Sequence, residues 1–211
     1  MSSDELAAWE RVIGSGDPAR AEQFCSAMLG RADGEAWAFW KTQAGYACFL
    51  NEADDDARYD RAPAHFQELA RRRPTDVNAW FWLGYLDDVL FCAPSAGERL
   101  RSALALAPEH PYASLALAGM NSAAESGIPL LQTVVRVQGN NVRATRELAR
   151  LWMEQGDAAR AERALRMLVS QPPFVERGYG IINGYMNGVL TGATHHPEWK
   201  DEAERTLASL R

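Results

Sequence analysis

Three arginines, Arg143, Arg146 and Arg150, stand at i, i+3 and i+7, a spacing that puts them on one face of a helix. Arg146 and Arg150 are four residues apart, so they repel each other by roughly 0.2–0.5 kcal/mol. An acidic ligand offsets that repulsion, because a guanidinium fork matches a carboxylate with two parallel hydrogen bonds. The competing reading is a solvated face neutralised along its own helix through Arg143–Glu147 and Arg150–Glu154, pairs that add little when exposed. A second candidate is the aromatic trio Phe81, Trp82 and Tyr85. Rings with a polar handle are common anchors at protein interfaces, and they serve equally well as core. A third is the stretch from Gly178 to Gly188, in which Gly180, Gly184 and Gly188 recur every fourth residue. Each glycine costs about 1 kcal/mol relative to alanine in a helix. A ridge of three therefore requires something to come close, either the next helix or a ligand backbone. Asn183 and Asn187 run beside it as an amide ladder able to hydrogen-bond an extended peptide.

Other chemistry is poorly supplied. His65, His110, His195 and His196 have no metal-ligand spacing, and Pro197 marks a loop at the last two, so no metal is expected. No phosphate loop, nucleophile elbow or catalytic triad pattern is present, so the expectation is a chain without catalytic residues or cofactor. The three cysteines, Cys25, Cys48 and Cys92, lie within apolar helical patterns with no C-x-x-C spacing. They are expected to be buried, unpaired and in a reducing cytosol. Arg71-Arg72-Arg73 precedes Pro74 and suits the negative end of a helix dipole. Asp54-Asp55-Asp56 is a solvated turn or an acidic patch. A net charge of −6 argues against a nucleic-acid partner, which needs a basic surface. The first residues, Met1-Ser2-Ser3-Asp4-Glu5, carry no signal-peptide pattern. No apolar run approaches the ~18 residues of a membrane span. A cytoplasmic protein with no membrane contact is the expectation.

What positions the candidate residues is a repeat. Residues 16–29 read GDPARAEQFCSAML and residues 156–169 read GDAARAERALRMLV. In both, glycine ends one helix in the left-handed conformation and aspartate caps the next; Pro18 suits a first turn. Trp80-x-x-Leu83-Gly84 is followed by Ala96-x-x-x-Leu100, Ala103 and Pro108. That resembles the signature of the tetratricopeptide repeat (TPR) family, with a period of roughly 34 residues. One departure is Asp87, where the family has tyrosine; Tyr85 and Leu86 are expected to fill the gap by local rotation. Leu148-Ala149-x-x-Trp152, then Gly156-Asp157, Ala161, Leu165, Leu168 and Pro173, fit as a further unit. Ala62-x-x-x-Phe66-x-x-Leu69 before Pro74 and Ala203-x-x-x-Leu207-x-x-Leu210 read as second helices. Small residues let paired helices approach closely: Gly84 is expected to face Ala96, and Ala149 to face Ala161.

The resemblance implies an all-α fold, a right-handed α-solenoid of about six TPR-like hairpins in a single domain over 1–211. The pairs span 4–30, 35–73, 77–107, 111–138, 142–171 and 176–210. The second carries an acidic insertion at 52–60, and the fourth is interrupted at Pro129. It also implies a concave groove lined by first helices. That groove would show Asn78, Phe81, Trp82, Tyr85 and Asp88 from the third unit, and Tyr112, Leu115, Gly119 and Ser122 from the fourth. From the fifth it would show Arg143, Arg146, Arg150 and Met153. The lysine and asparagine set of TPR proteins that clamp a peptide carboxylate is not reproduced. The function implied is an adaptor, scaffold or chaperone holding a protein or peptide partner, acidic in part, with an inhibitor or immunity-type binder as a variant. The competing class is an enzyme, or an accessory subunit of one, with a site in the Gly/Asn/Tyr/His-rich C-terminal region. Repeat proteins bind with such surfaces, but fold alone does not assign a function.

Overall fold

The computed structural model describes residues 2–120, 124–138, 141–170, 174–177 and 193–210. They divide into two compact units, one running to Ala107 and the other starting at Pro108. The first unit holds α1 (Ser3–Gly14), α2 (Pro18–Leu29), α3 (Gly34–Leu50), a π-helical turn (Asp56–Arg61), α4 (Ala62–Arg72), α5 (Val77–Phe91) and α6 (Ala96–Leu106). The second holds α7 (Pro111–Met120), α8 (Ala124–Gln138), α9 (Val142–Glu154), α10 (Ala158–Ser170), β1 (Phe174–Arg177), β2 (Ala193–His196) and α11 (Pro197–Ser209). Among the described residues no helix is long and apolar enough to cross a membrane.

The helix boundaries follow local chemistry. Gly16 and Gly156 sit at φ 73° and 77°, the left-handed region that an L side chain resists. Asp17 then accepts a hydrogen bond from the Arg20 amide, and Asp157 from the Arg160 amide, each at 3.0 Å. Thus the same stop-and-start device, spelled by the same residues, turns α1 into α2 and α9 into α10. α8 runs through Pro129. The proline removes one hydrogen bond near the helix start without ending the helix, so the expected interruption is absent.

Aromatic rings fill the first unit. Trp9, Trp40, Tyr46, Phe49, Phe66, Phe81 and Trp82 are all buried. Phe66 stacks on Trp82 with centroids 5.2 Å apart and planes 9° apart. Glycines make room: a Cβ on Gly45 would meet the Phe66 ring at 2.6 Å, and one on Gly84 would meet Leu100 Cγ at 2.7 Å and its backbone nitrogen at 2.9 Å. The nearest neighbour of Gly84 is therefore Leu100 of α6. Asp87 does not rotate out of the contact. Its carboxylate accepts from Ser95 Oγ at 2.5 Å and Arg99 Nη1 at 3.0 Å, so a polar clasp between α5 and α6 stands where the family has a tyrosine.

The acidic stretch 52–60 is organised rather than loose. Asp54 caps the π-helical turn through the Ala57 amide at 3.0 Å, and Arg61 bridges Asp54 and Glu22 at 2.9 and 2.8 Å. The arginines ending α4 reach α3: Arg72 lies 4.6 Å from the Trp37 ring, and Arg73 pairs with Glu35. Cys25 and Cys48 are buried free thiols, whereas Cys92 is exposed. The apolar pattern around Cys92 misled because α5 ends there, with Cys92 as a left-handed C-cap at φ 48°.

In the last pair, β1 and β2 form an antiparallel ladder with Phe174 opposite His196 and Arg177 opposite Ala193, and α11 follows as its second helix; residues 178–192, where its first helix is expected, lie outside the described residues. His195 and His196 therefore belong to a strand, not a loop. The β-branched Val175 and Thr194 suit extended backbone. Asn183, Asn187, Ser122 and the glycine ridge 178–188 lie outside the described residues.

Candidate partner-binding site

α9 shows why the arginines point outward. Its start is fixed by Asn141, whose side chain accepts from the Ala144 amide at 2.8 Å. Ala144, Thr145, Leu148, Ala149 and Leu151 are buried, a stripe at helical spacing. Arg143, Arg146, Arg150 and Met153 are left on the other faces. Leu148 and Leu151 pack with Ile128, Leu131 and Val134 of α8. Ala149 packs with Ala164, Leu165 and Leu168 of α10 and Ala203 of α11.

Beside that contact lies a cavity of about 260 Å³. Ala149, Leu165, Leu168 and Ala203 make its apolar floor, with Arg146, Arg150 and Met153 on one wall and Trp199, Glu202 and Thr206 on the other. Small-molecule sites begin near ~300 Å³, so this space suits one or two inserted side chains. Met153 is 41% exposed at its edge. Arg146 donates from Nε and Nη2 to one oxygen of Glu202, at 3.2 and 2.9 Å. Its guanidinium lies 5.0 Å from the Trp199 ring centre, and that of Arg143 lies 5.8 Å away. Arg150 bonds instead to its own helix, to Glu147 through Nε at 2.9 Å and to Glu154. These carboxylates, Glu147 foremost, raise the Arg150 pKa above its ordinary value, so Arg150 stays charged at any working pH.

The three candidate groups fare differently. Arg146 and Arg150 line the pocket, and Arg143 lies beside it against the Trp199 ring. Phe81 and Trp82 are fully buried and Tyr85 is 8% exposed, so this trio is corrected from partner anchor to core. The cause is aromatic packing inside the first unit: Trp82 stacks on Phe66, and Tyr85 meets Phe49 edge-on at 6.3 Å. In the fourth pair Leu115 is buried while Gly119 faces open space, so the expected lining is only partly available. Sequence reasoning missed the opposite wall. Trp199, Glu202, Ala203 and Thr206 fall at i, i+3, i+4 and i+7, the pattern of one helix face; it lay unread because the repeat register fades in the last pair. Among the described residues no group of three or more His, Cys, Asp or Glu side chains is placed to hold a metal ion.

Solved structures share the fold. MamA from Desulfovibrio magneticus RS-1, residues 41 to the end, is 20% identical with a TM-score of 0.59, covering 79% of this chain and 94% of that one. A MamA double mutant is also 20% identical at a TM-score of 0.58, covering 78% and 90%. A monomeric IFIT1 mutant with m7Gppp-AAAA is 15% identical at a TM-score of 0.50, covering 100% of this chain and 52% of that one. No protein-family model matches the sequence, and no curated protein matches it. With these neighbours, the chain has a TPR-like helical repeat fold.

Proposed function

We propose that the chain is a protein-interaction adaptor or scaffold whose partner segment docks across α9 and α11. An apolar side chain of the partner enters the cavity, and an acidic group beside it bonds to Arg146 and Arg150. The observation that carries this reading is the coincidence of an apolar floor, a tryptophan wall and two arginines around one space of about 260 Å³. Apolar burial supplies affinity, and charge-assisted hydrogen bonds supply direction. A nucleic acid such as the m7Gppp-AAAA of the IFIT1 structure fits poorly with a net charge of −6. A chaperone, or an inhibitor that masks a cognate protein, would use the same surface. Cys25 and Cys48, free thiols, go with a reducing, cytoplasmic setting. The competing enzyme reading rests on the C-terminal Gly/Asn/Tyr/His-rich stretch, most of which lies outside the described residues.

Selection of displayed 12-residue peptides on the intact chain tests the proposal. Enriched peptides should carry a large apolar residue beside a carboxylate. They should bind roughly tenfold more weakly to Arg146→Ala/Arg150→Ala, since a hydrogen bond to a charged group is worth about 1.5–3 kcal/mol. Enrichment that is indifferent to both substitutions rules the site out.

A further inference from the structure

The arginine face already holds a carboxylate from elsewhere in the chain. Glu202 stands 56 residues beyond Arg146 and takes both of its bonds on one oxygen. Trp199, one turn earlier on α11, covers the same guanidinium. Arg150 differs, because Glu147 and Glu154 neutralise it from its own helix. Of these two, Arg146 is the one whose charge is met across the cavity.

We propose that Glu202 is a placeholder. It fills the Arg146 subsite in the unliganded chain and gives way to the acidic group of the partner segment, so the chain competes with its own ligand. This rests on the proposed function above and names how that site is regulated. The geometry favours exchange of the side chain alone. Glu202 and Arg146 side chains are 51% and 40% exposed, so Glu202 can turn into solvent by a change of rotamer. The next residue, Ala203, is 2% exposed and packs with Ala149, Leu165 and Leu168, which fixes α11 as a wall. In the exchange the incoming carboxylate takes the Arg146 Nε and Nη donors, and water takes the released Glu202 oxygen. Arg146 keeps the same number of bonds. The ligand's carboxylate therefore gains less than it would on an unoccupied arginine, by the strength of the pair it breaks.

That difference is measurable. The probe is the tightest peptide from the display selection, synthesised with its carboxylates and again with each replaced by its amide. Both are titrated by calorimetry at low salt against the intact chain. Glu202→Gln should bind the acidic peptide about two- to fivefold tighter, the range of an exposed ion pair. The amide peptide should bind the parent and Glu202→Gln alike. Glu204→Gln makes the same charge change on an exposed position of the same helix and should leave both affinities unchanged. If Glu202→Gln binds no tighter while Arg146→Ala still weakens binding, Glu202 is a frame rather than a placeholder and this inference falls alone. Equal tightening by Glu202→Gln and Glu204→Gln also overturns it, as an effect of bulk charge. If Arg146→Ala has no effect, the site reading falls first.

Discussion

Replacing Gly84 by alanine adds one methyl group at the closest contact between α5 and α6. That Cβ would lie 2.7 Å from Leu100 Cγ, 2.9 Å from its backbone nitrogen and 3.0 Å from Cδ2. Leu100 is fully buried, so its side chain has no free volume to enter, and its backbone nitrogen moves only with α6. Overpacking of this kind costs about 1–3 kcal/mol, while alanine returns about 1 kcal/mol of helix propensity. With a backbone atom in the contact the upper part of the range applies, leaving a net loss of about 1–2 kcal/mol. For a chain of this size that lowers Tm by about 2–8 °C. Gly14→Ala is the control, because it ends α1 with nothing within 4 Å of its Cβ and should raise Tm by about 1–4 °C. Thermal melts followed by circular dichroism and tryptophan fluorescence separate the two. A Gly84→Ala chain as stable as the parent would refute the close pairing of α5 with α6.

Burial pushes both His65 and His110 down to about 4, and His110 Nδ1 also accepts from the Ala113 amide at 3.1 Å, capping α7. The unfolded chain binds protons below about 6.5 and the folded chain does not until about 4. Stability should therefore fall as pH drops through that window, by roughly 3 kcal/mol per histidine. Denaturant midpoints measured across it should slope accordingly, and His110→Asn, which keeps a capping oxygen, should flatten part of the slope. In native thiol labelling Cys92 should react quickly and Cys25 and Cys48 slowly. Burial pushes Cys48 up to about 12 and raises Cys25 as well, whereas Cys92 is exposed; equal rates at all three would contradict the packing of α2 on α3.

The hairpins were legible because their signals are local. Gly16-Asp17-Pro18 and Gly156-Asp157 spell a stop, a cap and a start within three residues, and the structure uses each as spelled. The arginine face was legible for the same reason, since i, i+3 and i+7 depend only on helix geometry. What the sequence hid are choices between equivalent neighbours. Trp82 and Phe81 read equally as anchor or core, and only the stacking of Phe66 from α4 decides for core. Asp87 gave no sign that Ser95 and Arg99 would receive it. The cavity wall on α11 depends on a contact between segments about 50 residues apart, with a β-ladder between them, and no repeat register carries across it.

Amide hydrogen exchange on the intact chain, with and without the selected acidic peptide, tests the central claim most directly. The account predicts slowed exchange in α9 and α11, residues 142–154 and 197–209, lost in Arg146→Ala/Arg150→Ala. Protection confined to the first unit, or unchanged by the double substitution, would contradict it.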